Sequence, residues 1–408
     1  MPGEIVSINP ALVGNKSLFV RDYFPAEPKR IIFEFVSAIL RMGRTVVLAV
    51  TNDLVTDQRV NKIATTLVED GYDVTLIGRK LPDSKPLLQK PYATHRMRLL
   101  FKKGFSFYAA YNIRLFLKLL CTKADVFTAN DLDTLPAVWL AGVLKRVPVI
   151  YDSHEYFTEV PELLHNAFAK KVWLGIESHI LPKLANAMTV CQSIADIYAS
   201  KYGVPFTVVR NVPLCNDYSP VVAGQSEPKT IIYQGAVNLG RGLELMVDAM
   251  LMIDNARLLI IGGGDKLQKL QEKVAEMNLS DKVVFTGKLN YEALRSYTLQ
   301  ADLGISLEEN MGLNYYYALP NKLFDYIQCR VPVLASDLPE IRRIVETYSV
   351  GKILEKRTPE MLARLANEML TDGEQRRYWK ANAELAAKEL CWQHEKQALM
   401  RLYTQASS

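Results

Sequence analysis

Two successive series of short apolar runs, each run followed by a helix-sized interval, constrain this chain more than any single residue does. The first series is RTVVLAV at 44–50, DVTLIG at 73–78, DVFTA at 125–129, VPVIYD at 147–152, AMTV at 187–190 and FTVVR at 206–210. The second is TIIYQG at 230–235, RLLIIG at 257–262, KVVFTG at 282–287, ADLGIS at 301–306 and VPVLAS at 331–336. Intervals of that length carry crossover connections, which are right-handed and join parallel strands. The fold class is therefore α/β, with two parallel-sheet domains in succession. At 408 residues the chain is also too long for one typical core. The expected divisions are an N-terminal extension at 1–43, a first domain at 44–212, a linker at 213–228, a second domain at 229–373 and a C-terminal helix at 374–408 crossing back to the first domain. Within the extension, 29–44 alternates basic residues with Ile31, Phe33, Val36 and Leu40. That pattern fits a helix lying on the first domain or on a membrane surface.

Ligands of parallel sheets gather beyond the carboxyl ends of the strands. In the first half three polar clusters fall there: Thr51, Asn52 and Asp53 with Asp57 and Arg59; Asn130, Asp131 and Asp133; and Asp152, Ser153, His154 and Glu155. Asp57, Arg59, Asn130, Asp131 and Glu155 are the candidate acceptor-side residues. His154 at a strand end is either a hydrogen-bonded structural residue or part of a site. No second histidine stands at zincin spacing from His154 and Glu155. Asp131 and Asp133 form a DxD pattern, either a metal-binding pair or a set of rim contacts before a helix.

In the second half the first run passes into Gly235, Ala236, Gly240 and Arg241 before a helical stretch. Small residues let the backbone approach a diphosphate, and an arginine there pairs with it. Gly262 and Gly263 follow the next run and permit close approach by a flat base. Residues 320–336 then predict a helix over 321–328 with Asn321 as N-cap, followed by a buried strand. Lys322 and Asp325 stand three apart on that helix: either an ordinary surface ion pair, or a cation for phosphate beside a carboxylate for sugar hydroxyls.

Several function classes drop out. GxGxxG and GxxxxGK[ST] are both absent, which disfavours a dinucleotide-dependent dehydrogenase and a P-loop enzyme. A net charge of +5 without a nucleic-acid-binding motif argues against nucleic acid. Five cysteines without CxxC spacing suit reduced thiols in a cytoplasm, with no structural zinc. Arg21 and Asp22 interrupt any signal peptide, and no apolar run spans a bilayer. Residues 96–123 mix seven basic side chains with aromatic and aliphatic ones. They form either a core-facing helix with a solvated basic face or a contact with anionic lipid or a lipid-linked substrate.

From residue 44 to 403 the chain resembles family 4 of the retaining glycosyltransferases, which have the GT-B fold. The resemblance rests on TNDLVTDQRV at 51–60, ANDLDTLPA at 129–137, YDSHEYFTEVPEL at 151–163, YQGAVNLGRGLE at 233–244 and PNKLFDYIQCRVPVLAS at 320–336. It implies two Rossmann-like domains facing across a cleft, the second binding a UDP- or GDP-sugar and the first a glycan or lipid-linked acceptor. It also implies metal-independent transfer with retained anomeric configuration, in cell-surface polysaccharide or glycolipid synthesis, in the cytoplasm or peripherally on the inner membrane face. The corresponding catalytic residues are His154, Arg241, Lys322 and Asp325. The donor site comprises Gly235, Ala236, Gly240, Arg241, Gly262, Gly263, Lys288, Asn321, Lys322, Leu323 and Asp325. Two positions depart from the family pattern: Tyr317 stands where the first acid of a paired motif is usual, and Ala236 where a basic residue is usual. The alternative function is a non-catalytic nucleotide-sugar-binding subunit of a glycan assembly complex.

Overall fold

The computed structural model describes residues 43–407 apart from 56, 165 and 216–226. The helix expected across 29–44 lies outside them as far as residue 42, as does most of the linker. Two parallel sheets make up the fold. The first contains β1 (Thr45–Ala49), β2 (Asp73–Lys80), β3 (Ala93–Arg98), β4 (Val126–Asn130), β5 (Val149–Ser153), β6 (Asn186–Thr189) and β7 (Thr207–Val208), in the order β3-β2-β1-β4-β5-β6-β7. The second contains β8 (Lys229–Gln234), β9 (Ala256–Ile261), β10 (Val283–Gly287), β11 (Leu303–Ser306), β12 (Val333–Ser336) and β13 (Gly351–Leu354), in the order β10-β9-β8-β11-β12-β13. Both orders reverse beside the first strand of the sheet, between β1 and β4 and between β8 and β11. Such reversals open the crevices where α/β folds bind ligands.

The strands are near-continuously apolar because both faces of each sheet are covered. Val47, Ala49, Phe127 and Tyr151 pack on one face of the first sheet under the helices Gly104–Leu120 and Leu135–Lys145. Their neighbours Val46, Leu48, Val126 and Ile150 face the other side, toward the helices Gln58–Glu69 and Trp392–Ala406. The second sheet divides in the same way, with Ile231 and Tyr233 on one face and Ile232 on the other. This is the two-residue alternation of a pleated strand.

Three elements depart from the sequence expectation. β3 and β13 are additional strands at sheet edges, where few side chains are buried and the backbone ladder alone defines the strand. The stretch 96–123 is thus the end of β3, a loop, and the helix Gly104–Leu120. The terminal helical segment is two helices, Gly373–Glu389 and Trp392–Ala406. The break has a packing cause: Leu390 lies in the core of the second lobe and Trp392 in that of the first, so the chain changes lobes between them. Trp392 donates from its indole to Thr66 Oγ1 at 2.8 Å and from its backbone to Pro213 O at 2.8 Å.

Candidate active site

In the second lobe the residues beyond β8 and β11 meet at the reversal. Gly235 (φ +132°) and Gly262 (φ +152°) lie back to back. A Cβ on Gly262 would fall 1.8 Å from the carbonyl oxygen of Gly235, so the second glycine is obligatory. Gly263 lies against the stem of Lys288. Lys322, on the helix Asn321–Gln328, reaches back so that a Cβ on Gly235 would lie 3.7 Å from its Nζ. The same Nζ donates to Glu308 Oε1 at 2.8 Å and sits 4.1 Å from the Tyr233 ring centre.

Glu308 is the hub of this region. It accepts from Ser306 Oγ at 2.7 Å, and Arg241 Nη1 stands 3.9 Å from its Oε1. Burial works against its charge, but Lys322 and the Ser306 hydroxyl outweigh that and hold its pKa below the ordinary carboxylate value. Arg241 stacks over Tyr315 at 5.4 Å, and its Nε is buried with no hydrogen-bond partner among the described residues. The two cations therefore converge on one point, held by a single carboxylate.

Asp325 faces a different way from Lys322. It accepts from Gln234 Nε2 at 2.7 Å and lines a small pocket with Pro213, Tyr291, Arg295 and Cys329. Burial raises its pKa to about 6, partly offset by Lys62 of the first lobe and by Gln234. Asn321 does not cap its helix: Pro320 occupies the cap position in extended conformation, and Asn321 is the first helical residue, its side chain exposed. The side chain of Leu323 is wholly enclosed in the core, because one step along a helix from Lys322 turns it about 100° away. Ala236 contributes its carbonyl to the Tyr233 hydroxyl at 2.6 Å, and Gly240 (φ +77°) lies beneath Met311 and Tyr315.

In the first lobe His154 is held at both ring nitrogens. Nδ1 lies 3.2 Å from Asp131 Oδ2 and Nε2 lies 3.0 Å from Asp152 Oδ2. Burial disfavours the charged imidazole, yet the two carboxylates overcome it and lift its pKa to about 9. Asp152 is in turn bound by Arg59 through Nη2 at 2.6 Å and Nε at 3.0 Å. Arg59 is 3% exposed, and its third donor goes to Val209 O, so it braces Asp152 and does not face an acceptor. Asp57 is likewise structural: it caps the helix Gln58–Glu69 through Val60 N and binds Asn52. Asn130 is buried and donates to Ala49 O. The two carboxylates of the DxD diverge, Asp131 toward His154 and Asp133 toward Thr51 Oγ1 at 2.6 Å. Asp131, Glu155 and His154 thus remain together at the rim, Arg59 and Asn130 are buried behind it, and Asp57 caps the adjoining helix.

The lobes meet at this rim through Asn314. Its Nδ2 donates to Glu155 Oε2 at 3.0 Å, and its Oδ1 accepts from Tyr156 N at 3.0 Å. Burial, and then the charge of Asp131, raise the Glu155 pKa to about 7, although the Asn314 bond opposes this. The three tyrosines that follow Asn314 go to three places. Tyr315 lies under Arg241, Tyr316 packs on the second core and Tyr317 on the first. Tyr317 therefore cements the lobes at the position where a paired acid is usual. Asn314 has no local signature in sequence, because its partners lie about 160 residues away. Glu308 had one: it stands two residues beyond β11, at the reversal of the sheet.

Comparison with known proteins agrees with this fold. Residues 57–214 match the family profile described as Glycosyltransferase Family 4, and residues 217–386 the profile described as Glycosyl transferases group 1. An uncharacterized glycosyltransferase of Methanocaldococcus jannaschii is 26% identical over 165 residues, 39% of this chain and 40% of that protein. The chitobiosyldiphosphodolichol beta-mannosyltransferase of Candida albicans is 29% identical over 154 residues, 35% of this chain and 33% of that protein. The chain thus spans less than half the length of either relative. Anabaena HepE, solved in complex with UDP and glucose, superposes with a TM-score of 0.71 over 89% of this chain and 100% of its own, at 14% identity.

Proposed function

The chain belongs to the family 4 glycosyltransferases of GT-B fold, and we propose that it moves a sugar from a nucleotide-sugar to a glycan or lipid-linked acceptor with retained configuration and without a metal. The observation that carries this reading is the convergence of Lys322 and Arg241 on Glu308 at the β8–β11 reversal, bridged by Asn314 to the His154 rim. A leaving diphosphate develops charge as the glycosidic bond breaks. Fixed cations aimed at that charge stabilise the transition state without reorganisation. In the free protein Glu308 keeps both cations in place, and an incoming diphosphate takes over their charge. His154, locked between two carboxylates, presents a fixed imidazolium edge to the sugar. The departing phosphate oxygen accepts the acceptor proton, so no protein base is assigned.

The UDP bound by HepE supports a uridine nucleotide as donor, and GDP is the other base to test. The diphosphodolichol acceptor named for the Candida relative supports a lipid-linked acceptor. Among the described residues no helix is long and apolar enough to cross a membrane. The exposed Leu100, Phe105, Ile113 and Leu117 beside a basic stretch support peripheral attachment at a cytoplasmic membrane face. Calorimetry against UDP and GDP, followed by transfer assays with the matching sugar nucleotides, tests the reading. Saturable binding with release of nucleotide and a product of unchanged anomeric configuration is expected. Binding without transfer across a panel of glycan and prenyl-diphosphate acceptors would leave only a nucleotide-sugar-binding subunit, and inverted product would remove retention.

A further inference from the structure

Away from the interlobe cleft, the carboxyl ends of β2 and β3 enclose an open cavity of about 390 Å³, the size of a small-ligand site. Its walls carry Arg79, Lys80, Arg98 and Lys102, with Leu99 and Phe101 beside them and no acidic side chain among its lining residues. None of the four cations is ion-paired among the described residues. Arg79 is the most organised of them. Its guanidinium stacks at 4.5 Å on Phe107, one Nη donates to Lys102 O at 3.1 Å, and its Nε is buried without a partner among the described residues. A stacked, partly unsatisfied guanidinium among lysines is the chemistry of phosphate recognition.

The cavity is built into the same rim as the candidate active site. Arg79 N donates to Asn52 O at 2.8 Å, and the adjacent Thr51 holds Asp133. β2 and β5 lie three strand spacings apart in the sheet, about 14 Å. We propose that this cavity is an acceptor subsite: it holds the phosphate or diphosphate ester of an amphiphilic acceptor, whose apolar part lies along Leu99 and Phe101 while its glycan reaches His154. This assignment rests on the transferase reading and adds to it the acceptor class and the place of its charge.

The test uses farnesyl diphosphate, a water-soluble prenyl ester, titrated by calorimetry into the full chain with inorganic pyrophosphate as competitor. Arg98→Gln/Lys102→Gln alters only exposed side chains and is expected to weaken binding about tenfold or more. UDP added beforehand to fill the interlobe site is expected to leave this binding unchanged. Binding that is abolished by UDP and survives in Arg98→Gln/Lys102→Gln would overturn the proposal. So would capture of anionic vesicles with no binding of the soluble ester, which would make the cavity a headgroup contact. Intact, cavity-dependent binding without any sugar transfer would support the subsite while counting against the transferase reading, so the two fail separately.

Discussion

Lys322 Nζ lies 2.8 Å from Glu308 Oε1, with the lysine side chain 8% exposed and the carboxylate 0%. The cation best placed for a phosphate is thus already matched by an enclosed counter-charge. Removing either partner has consequences for both stability and catalysis, and the two can be told apart.

Lys322→Ala leaves Glu308 charged, buried and short of its main partner. Breaking a buried pair from one side costs about 3–5 kcal/mol, so the melting temperature is expected to fall markedly. Lys322→Met/Glu308→Gln should recover most of that loss while kcat/KM stays down by about 10²-fold or more. Arg241→Ala, whose cation stands farther from Glu308 at 3.9 Å, is expected to lose activity to a similar degree with a small thermal shift. Wild-type rates in both single variants would remove the cations from the mechanism.

Alkaline pH should unload His154. Its imidazolium titrates near 9 when folded, against 6.5 for an ordinary histidine, because Asp131 and Asp152 outweigh burial. A raised pKa means that the proton's contribution to stability is complete below about 6.5 and gone once pH passes about 9. Thermal melts of the wild type should therefore decline between those values more steeply than melts of His154→Gln. Parallel curves would show that the imidazole is neutral at pH 7. Asp152, whose pKa Arg59 and His154 depress, acts with the opposite sign and matters only in acid.

Asn314→Ala removes the two bonds that Asn314 makes to the first lobe, while those of Cys191 to Tyr317 and of Ser193 to Glu340 remain. Above pH 7, where Glu155 is ionised, a hydrogen bond to a charged group is worth about 1.5–3 kcal/mol, so the closed arrangement should lose at least about tenfold in population there. Small-angle scattering is expected to show a larger radius of gyration, and kcat/KM to fall in step. Repeating the change in a Glu155→Ala background should cost less. Equal costs in both backgrounds would mean that the contact carries no closure energy.

Chelation should leave activity intact. Asp131 and Asp133 point to different partners, His154 and Thr51. Initial rates with EDTA are expected to equal those with added magnesium or manganese. A rate that vanishes with EDTA and returns with either ion would restore the DxD to a metal-binding role.

Vesicle flotation tests the exposed apolar face near the helix Gly104–Leu120, where Leu100 is 91% and Phe105 75% exposed. Binding to anionic vesicles should weaken as salt rises, because screening shortens the reach of the basic side chains. Leu100→Asp/Phe105→Asp is expected to abolish it. Unchanged flotation in that variant would place the contact elsewhere.

Central strands were legible in the sequence because burial on both faces makes them near-continuously apolar, as at 46–50 and 231–233. The edge strand Ala93–Arg98 was not, since only Met97 among its side chains is buried and its ladder leaves no mark on composition. Site residues followed the same logic. Glycines and cations next to strand ends could be read, but burial could not. Arg59 and Leu323 looked available from their positions, and only packing shows one bracing Asp152 and the other filling the core. Asn314 and Tyr317 take their meaning from the opposite lobe, which no local window contains.

The final helix supplies Trp392, Leu399, Leu402 and Tyr403 to the interior of the first lobe, each worth about 1.5–3 kcal/mol on burial. On the ribosome, then, the lobe that starts first is finished last. Its hydrophobic seam stays open while the entire second sheet emerges, and chaperone engagement is expected to persist until the helix Trp392–Ala406 has emerged.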